Sequence, residues 1–493
     1  MSGDEVKPLL ARTSPFSSSS SPILEHGPSP VPSRALDDEI LPETSATGRQ
    51  LGWSDTYLLI MSRVFGSGIF ATPGAIVRAV GSPGLALLLW LVGAVVAACG
   101  VAISLELGMM LPRSGGEKVY LEYTWRKPRF LIGTLYAVYI VFLGFTAGNA
   151  VIFSRYMLFA LGLEDASEWL RKGLAAGLLT VVVVIHTIWP GRGVWIQSAL
   201  ARLKLSMVFG MIVCGFYAVL SRSITVPENP LDVPNRASAL SALFNGSVWE
   251  WGAISPALFQ VFYSYAGLET ANSVMNEIKN PVQTLRSASI AALATCCLLF
   301  LLTNVAYLCV VPIEEIKNSG EMIAALYFER LFGSSIGRRL LPLVIAVSAG
   351  GNVMVVAYSM GRLKQEIARQ GLLPYANVFA SSAPFRSPLG AFIIHWVTSV
   401  LVIVSPPSEK AFKFVLEVEG YPAQIFALIT AVSLLKLRHD RPSQRRPFKA
   451  WLPTVYLRGF ANLLLLSPPF FPPKEQSADD FWYASYAVVS VGM

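Results

Sequence analysis

Long runs of apolar residues recur along the chain between Leu58 and Phe470, and short polar segments separate them. A bilayer core about 30 Å thick needs roughly 20 apolar residues for each helical crossing, which is the length of these runs. A lipid-facing barrel would instead show ten-residue segments of alternating polarity, and the runs here are continuous. The pattern therefore predicts an all-α polytopic membrane protein.

The runs predict about 12 transmembrane helices, the last one short. Eleven spans lie near residues 54–79, 83–110, 130–161, 173–189, 196–220, 251–275, 285–311, 340–362, 388–405, 412–436 and 451–471. The twelfth begins at Phe481 and has only 13 residues before the chain ends. This map predicts a core over 51–437, made of spans 1–10, followed by spans 11 and partial 12 over 438–493.

The segment 1–50 differs from the rest, because it carries a serine run at Ser17–Ser21, several prolines and a cluster of acids. Such a composition predicts a disordered tail. The segment lacks the basic start and apolar region of a cleaved secretory signal, so we expect no removed leader and expect the first span to direct the chain to the membrane.

Composition and charge agree with this class. Hydrophobic residues make up 53% of the chain, charged residues 14%, and the mean hydropathy is +0.53. The net charge of +8 comes from clusters beside the apolar runs rather than from one basic face, so no nucleic acid partner is predicted. The five cysteines lie within predicted spans without metal-ligand spacing, which predicts neither a disulfide framework nor a zinc site.

Lysine and arginine concentrate in the loops that follow even-numbered spans, whereas the loops after odd-numbered spans are rich in acids. Basic loops stay on the cytoplasmic side of a membrane. We therefore expect both termini to be cytoplasmic, and we expect the protein in the plasma membrane. Arg338 and Arg339, at the outer start of span 8, are the exception.

Two spans carry residues that interrupt a helix. Span 1 contains Gly66-Ser67-Gly68, followed by Pro73 and Gly74, and span 6 contains Ala266-Gly267 with a carboxylate at Glu269. Glycine and proline favour unwinding, and unwound backbone persists in a membrane only where it lines a cavity or is buried in protein. The alternative is that the glycines only permit close helix packing.

Interrupted helices at the first position of two five-span halves are typical of an inverted-repeat transporter. Half-helix N-termini carry partial positive charge that suits a carboxylate, and the freed carbonyls and opposite helix ends suit an ammonium group. A zwitterionic amino acid would match both.

These residues resemble a known family. Gly66–Phe70 looks like the first-span signature of the amino acid-polyamine-organocation superfamily, and Phe262–Glu269 is similar to the span 6 break of its L-type amino acid transporter group. The resemblance extends over spans 1–8, through the segments Glu106–Gly108, Pro112–Glu117, Glu277–Pro281, Ser348–Asn352 and Arg369–Pro374. Tail composition is most similar to the fungal high-affinity methionine permease branch.

The resemblance implies a LeuT-like 5+5 inverted repeat with broken helices 1 and 6. It implies that the substrate binds at these residues: Gly66, Ser67, Gly68, Ile69, Phe262, Tyr265, Ala266, Gly267 and Asn352. It also implies that Lys204, Glu269 and Ser348 act in coupling or gating. Animal members of the group carry a cysteine after span 3 for a disulfide-linked heavy chain, and 161–172 has none here, so no such partner is expected.

Lys204 in span 5 is an ammonium group at membrane depth, which marks a functional site. In the family, a lysine matching this position takes the place of a sodium ion, which implies proton coupling or exchange. The alternative is that Lys204 reaches the headgroups, as neighbouring Arg202 suggests. Glu269 could accept the substrate ammonium, join a proton relay or pair with a neighbouring helix.

The predicted function is secondary active transport by alternating access, most simply proton-coupled uptake of methionine or other neutral L-amino acids. A transporter or exchanger of polyamines or cationic amino acids is the alternative, as is a receptor that binds amino acids without moving them. Enzyme and channel classes are disfavoured, because the sequence has no catalytic constellation, phosphate loop or repeated pore loop. No cofactor or metal is predicted.

Overall fold

The structure, a computed structural model, describes residues 48–66, 68–128, 130–163, 166–221, 242–319, 323–405 and 409–467. Over these ranges the chain is helical, and the one β-type pairing among them is an isolated bridge between Leu51 and Ile278. The predicted tail up to residue 47 and the predicted twelfth span lie outside the described residues.

Helices are numbered in chain order. They are α1 (Trp53–Val64), α2 (Gly68–Val80), α3 (Pro83–Met110), α4 (Glu117–Thr124), α5 (Leu131–Phe142), α6 (Ala147–Ala160), α7 (Glu168–Ile188), α8 (Pro190–Leu220), α9 (Trp251–Tyr265), the 3₁₀ helix Thr270–Glu277, α10 (Pro281–Val310), α11 (Ile313–Ser319), α12 (Ile323–Arg369), α13 (Ala376–Ala380), α14 (Leu389–Val404), α15 (Glu409–Asp440) and α16 (Leu452–Leu465).

Seven stretches among the described residues are long and apolar enough to cross a membrane. They are Pro83–Met110, Leu131–Ala160, Glu168–Ile188, Pro190–Ala218, Pro281–Val310, Arg339–Arg369 and Gly420–Asp440. The helix Leu389–Val404 is apolar but shorter. These stretches agree with an integral membrane protein of many helices, and the finer prediction of a twelve-helix inverted repeat stays a prediction.

Span 1 is broken, as the sequence predicts. Helix α1 ends at Val64, Phe65 has a non-helical ψ of 74°, and α2 begins at Gly68. Pro73 lies inside α2 and cannot donate to the carbonyl of Ile69, four residues earlier. The hydroxyl of Tyr307 donates to that carbonyl instead, at 3.3 Å, so the backbone group freed by proline keeps a partner in the membrane.

Span 6 is broken as well. Helix α9 ends at Tyr265, Ala266 is extended, and Gly267 takes a φ of +101° that only glycine adopts without strain. The chain resumes as the 3₁₀ helix Thr270–Glu277 rather than as an α-helix. The second half of span 6 is therefore short and tightly wound.

Span 3 was predicted over 130–161, and the apolar stretch Leu131–Ala160 agrees with it, but the helix within it is interrupted. Helix α5 ends at Phe142 and α6 begins at Ala147. Two polar side chains of α14 reach the exposed backbone: the Nδ1 atom of His395 lies 3.2 Å from the carbonyl oxygen of Gly144, and Ser399 accepts from the amide of Thr146 at 3.1 Å. The break is stable because span 9 supplies these partners.

Span 8, predicted over 340–362, begins as predicted and ends a few residues later, since the apolar stretch is Arg339–Arg369. Helix α12 runs from Ile323 to Arg369, with one non-helical residue at Gly333, where φ is +78°. It packs against α6, α8 and α14. The part of α12 that lies next to α1 carries Ser348 and Asn352, so span 8 supports the break of span 1.

Four aromatic rings pack together beside the two breaks: Phe65, Trp90, Tyr265 and Phe300. Their ring centroids lie 4.9–6.0 Å apart in tilted or edge-on pairs. All four side chains are buried, with Trp90 and Phe300 completely so. The cluster closes the space between spans 1, 2, 6 and 7 on the side away from α4.

Candidate functional site

A cavity of about 300 Å³ lies where the broken spans meet. At the breaks it is lined by Arg63 of span 1 and by Phe262, Tyr265, Ala266 and Gly267 of span 6. It extends past spans 2, 3, 8, 10 and 11 to the α4 loop, where Gly115, Gly116 and Glu117 line it. The size and the mixture of aromatic, apolar and charged groups suit a small amphipathic molecule.

The glycines of span 1 lie where a side chain would be crowded. A Cβ atom added at Gly66 would be 3.0 Å from the side-chain nitrogen of Asn352, and one added at Gly68 would be 3.1 Å from the hydroxyl of Ser264. Spans 1 and 6 therefore approach each other, and span 1 approaches span 8, at distances that glycine permits. Ser67, also predicted as a substrate residue, lies outside the described residues.

Lys204 reaches the break of span 1. Its Nζ atom donates to the carbonyl of Ser62 at 3.0 Å, to the hydroxyl of Ser62 at 3.3 Å and to the carbonyl of Phe65 at 3.0 Å. These three bonds use all three donors of an ammonium group. The residue is 2% exposed, which excludes the alternative that it extends to the headgroups.

Ser348 and Asn352 of span 8 hold the same break from the other side. The Ser348 hydroxyl lies 3.3 Å from the Phe65 carbonyl oxygen and 3.2 Å from that of Gly66. The Asn352 side-chain amide donates to the carbonyl of Arg63 at 2.7 Å. The unwound carbonyls of span 1 are thus bound by spans 5 and 8, as backbone buried in a membrane requires.

The predicted residues form two groups. Gly66, Gly68, Ile69, Lys204, Ser348 and Asn352 gather around the break of span 1 and form the wall behind the cavity. Phe262, Tyr265, Ala266, Gly267 and Glu269 lie on span 6 and line the cavity itself. The structure thus brings all the described members of the predicted site to one region, although only the span 6 group faces the open space.

Arg63, just before the break of span 1, was not predicted to have a role, and it is the charged residue of span 1 that lines the cavity. Its NH1 atom donates to the side-chain oxygen of Asn352 at 3.3 Å, and its aliphatic part packs against Gly267. Asn149 of span 3 donates to the same oxygen at 3.2 Å. A guanidinium group at membrane depth could have indicated this residue from the sequence alone.

Arg458 was also missed, because it lies on span 11, beyond the predicted transporter core. It lines the cavity, and its guanidinium carbon would lie 3.3 Å from a Cβ atom added at Gly100. A carboxylate oxygen of Glu269 lies at the same distance from that position. Gly100 therefore leaves room for a cation and a carboxylate on the same face of span 2.

Buried ion pairs surround the α4 end of the cavity. The guanidinium of Arg362 lies 2.5 Å from Glu277, at the end of span 6, and Arg113 lies 2.9 Å from Glu366 of span 8. The hydroxyl of Tyr358 also donates to Glu277. These pairs link segments that belong to different spans.

Comparison with known proteins gives one consistent result. A family model described as amino acid permease matches residues 51–492. The chain is 32% identical over 435 residues to the high-affinity methionine permease of Saccharomyces cerevisiae. The matched region covers 86% of this chain and 73% of the yeast protein. It is 32% identical over 426 residues to the low-affinity methionine permease of the same yeast, covering 86% of this chain and 77% of that protein.

A more distant relative is the large neutral amino acids transporter small subunit 2 of Oryctolagus cuniculus, 26% identical over 448 residues, or 87% of this chain and 80% of that protein. All three relatives are named as permeases or transporters rather than as enzymes. This agrees with the class of protein that the sequence motifs predicted.

Proposed function

Since this chain belongs to the amino acid permease family, we propose that it is a secondary active transporter that carries methionine or another neutral L-amino acid by alternating access, coupled to protons.

The observation that carries the proposal is the meeting of two broken helices at one cavity. The break of span 1 and the break of span 6 approach each other where Gly68 contacts Ser264, and the cavity opens beside them. The start of α2 lies in the wall behind the cavity, and its backbone N–H groups would bind a substrate carboxylate once the two breaks separate, while the end of α9 offers carbonyls to the ammonium group. The substrate backbone would bind between these two helix ends.

The lining favours a neutral side chain. Ile140, Phe262, Val356, Met360 and Leu363 give the cavity an apolar surface, which suits a thioether or an aliphatic group. Arg63 lies at the break itself and would repel a second positive charge on the substrate. Methionine therefore fits better than a polyamine or a cationic amino acid, and two of the relatives are named as methionine permeases.

Lys204 is the proposed coupling residue at the break of span 1, and Ser348 and Glu269 are proposed to act in coupling or gating from separate positions. Its ammonium group holds the carbonyls of Ser62 and Phe65, which a bound cation could otherwise hold. Losing a proton would weaken those bonds and release span 1 from span 5. We propose that spans 1, 2, 6 and 7 then rock against the remaining core, in a plasma membrane with both chain termini cytoplasmic.

The decisive experiment is uptake of radiolabelled methionine by the purified protein in liposomes, with and without an inward proton gradient. Unlabelled neutral amino acids, cationic amino acids and polyamines serve as competitors. Accumulation driven by the gradient and blocked by neutral amino acids is the expected result. Binding without accumulation would contradict active transport and favour an exchanger or a receptor, and inhibition by polyamines alone would contradict the substrate class.

A further inference from the structure

Besides Arg63, three charged side chains line the cavity. Glu117 is the first residue of α4, Glu269 follows the break of span 6, and Arg458 lies on span 11. The side chains of Arg458 and Glu269 both lie next to Gly100 of span 2. Two carboxylates therefore share this part of the cavity with one guanidinium.

Glu117 is held among groups from four different elements. The hydroxyl of Tyr136, in span 3, donates to its carboxylate at 3.4 Å, and Thr430 faces it from span 10. The charged groups that face it are the carboxylate of Glu269 and the guanidinium of Arg458. Span 10 and α5 are the helices packed most closely against α4, and none of their described side chains places a charge beside Glu117.

These surroundings act on the proton affinity of the carboxyl group. Burial, together with the negative charge of Glu269, raises the pKa of Glu117 to about 7, while Arg458 and the hydrogen bond from Tyr136 act in the opposite direction. The N-terminus of α4 also favours the charged form, but only by about 0.3–1 kcal/mol. The pKa of the Glu117 carboxyl group is thus close to neutral pH.

A second feature of the same cavity points to water. The hydroxyl of Tyr120, one turn along α4, is 1% exposed and lines the cavity, yet it has no hydrogen-bond partner within the described part of the chain. Buried hydroxyl groups are almost always bonded, to water if not to protein. A water beside Tyr120 would lie one turn of α4 from Glu117 and could carry its proton along the α4 end of the cavity.

We propose that Glu117 is the proton-binding residue of this end of the cavity, with Glu269 and Arg458 as the charges that set when it binds and releases the proton. The proposal rests on the proposed proton-coupled transport and adds a named site to it. A proton that enters with the substrate neutralises one of the two carboxylates, and Arg458 then balances the other. When the cavity opens toward α4, Glu117 gives the proton to water and regains its negative charge.

The first test measures proton flux and methionine flux together in liposomes that contain a pH-sensitive dye. Glu117→Gln is expected to move methionine with a proton-to-substrate ratio at least tenfold below that of the wild type, and Glu117→Asp should restore part of it. Glu122→Gln is the matched control, because Glu122 lies on the same helix but pairs with Lys118 at 3.0 Å instead of lining the cavity. It should keep the wild-type ratio.

The outcomes separate this inference from the function on which it rests. A wild-type protein without proton flux would overturn both. A wild type with proton flux, together with a Glu117→Gln variant of equal ratio, would overturn only the assignment of Glu117.

A second measurement uses variants that keep Glu117, in case its substitution prevents folding. The pH midpoint of methionine transport is measured by varying the pH on the α4 side. Removing the negative charge in Glu269→Gln should lower the midpoint by about one pH unit, and removing the positive charge in Arg458→Gln should raise it by a similar amount. Opposite shifts support the proposal, since a purely structural role would move neither midpoint, and unchanged or parallel shifts would overturn it.

Discussion

At the scale of single residues, the site depends on glycines with little room for a side chain and on one lysine that makes three hydrogen bonds. Gly66 and Gly68 bring span 1 against spans 8 and 6, and Lys204 occupies the space that this leaves beside Ser62 and Phe65. Gly351 contributes as well, because a Cβ atom there would lie 2.8 Å from the Lys204 side chain. The close packing at these glycines and the burial of the Lys204 ammonium group thus depend on each other.

Gly68→Leu should abolish methionine uptake while the protein still reaches the cell surface. The new side chain would collide with Ser264, both at its hydroxyl and at its backbone, and separate the two breaks. Uptake of radiolabelled methionine and surface biotinylation measure the two effects. Gly210→Leu is the matched control, because a Cβ atom at Gly210 meets nothing within 4 Å. Normal uptake by Gly68→Leu would refute the site.

Lys204→Ala should remove the dependence of uptake on external pH. The substitution leaves the carbonyls of Ser62 and Phe65 without this donor, which costs about 1–3 kcal/mol for each unsatisfied group and weakens the break of span 1. Initial uptake rates across a pH series provide the measurement. Arg202→Ala, which removes an exposed cation two residues away, should keep the wild-type profile. A wild-type pH profile in Lys204→Ala would exclude the coupling role.

At the scale of elements, the breaks of spans 1 and 3 depend on side chains from other helices to bind their freed backbone groups. Span 1 is held by Lys204, Ser348 and Asn352, and its proline-freed carbonyl by Tyr307. The break in span 3 depends on α14 in the same way. Ion pairs then fix the ends of these elements, most clearly at Glu277.

Arg362→Ala should lower the stability of the purified protein in detergent by about 3–5 kcal/mol, because it leaves the Glu277 carboxylate buried without its cation. The side chains of the pair are 7% and 4% exposed, so water cannot take the place of the lost partner. Thermal unfolding followed by fluorescence would measure the loss. Lys317→Ala removes a surface pair with Glu314 and should change stability by less than about 1 kcal/mol. Equal melting temperatures for both variants would contradict the prediction.

At the scale of the whole molecule, the two sides of the breaks are unequal. The aromatic cluster of Phe65, Trp90, Tyr265 and Phe300 closes one side, whereas the cavity extends toward α4 on the other. With the orientation that the loop charges predict, this arrangement would correspond to an inward-facing state of the proposed transport cycle. A substrate would reach the breaks from the cytoplasm.

Thiol labelling tests this state directly. In a variant without the five native cysteines, Ala427→Cys should react with a membrane-impermeant reagent applied from the cytoplasmic side, since Ala427 lines the cavity, and methionine should slow the reaction. Val248→Cys is the control for the opposite side, because Val248 is exposed and bonds to Val80 at the other end of span 1. Labelling of Ala427→Cys only from outside would reverse the proposed orientation.

The sequence by itself determined the class of protein, the family and the location of two breaks. Apolar runs of bilayer length need no tertiary information, because the bilayer acts on each helix separately. The motifs from Gly66 to Phe70 and from Phe262 to Glu269 predicted the superfamily, which the family match confirms. Both breaks could be predicted because glycine and proline act locally on the backbone.

Only the tertiary structure decided the rest. The break in span 3 depends on His395 and Ser399, about 250 residues away, and no local pattern in span 3 predicts partners at that separation. The same holds for Arg458, a residue of span 11 that enters the cavity because Gly100 leaves space for it. Neighbouring residues set the local preferences of the backbone. The partners of buried polar groups depend instead on how distant helices pack together. That packing therefore determines which charged side chains line the cavity.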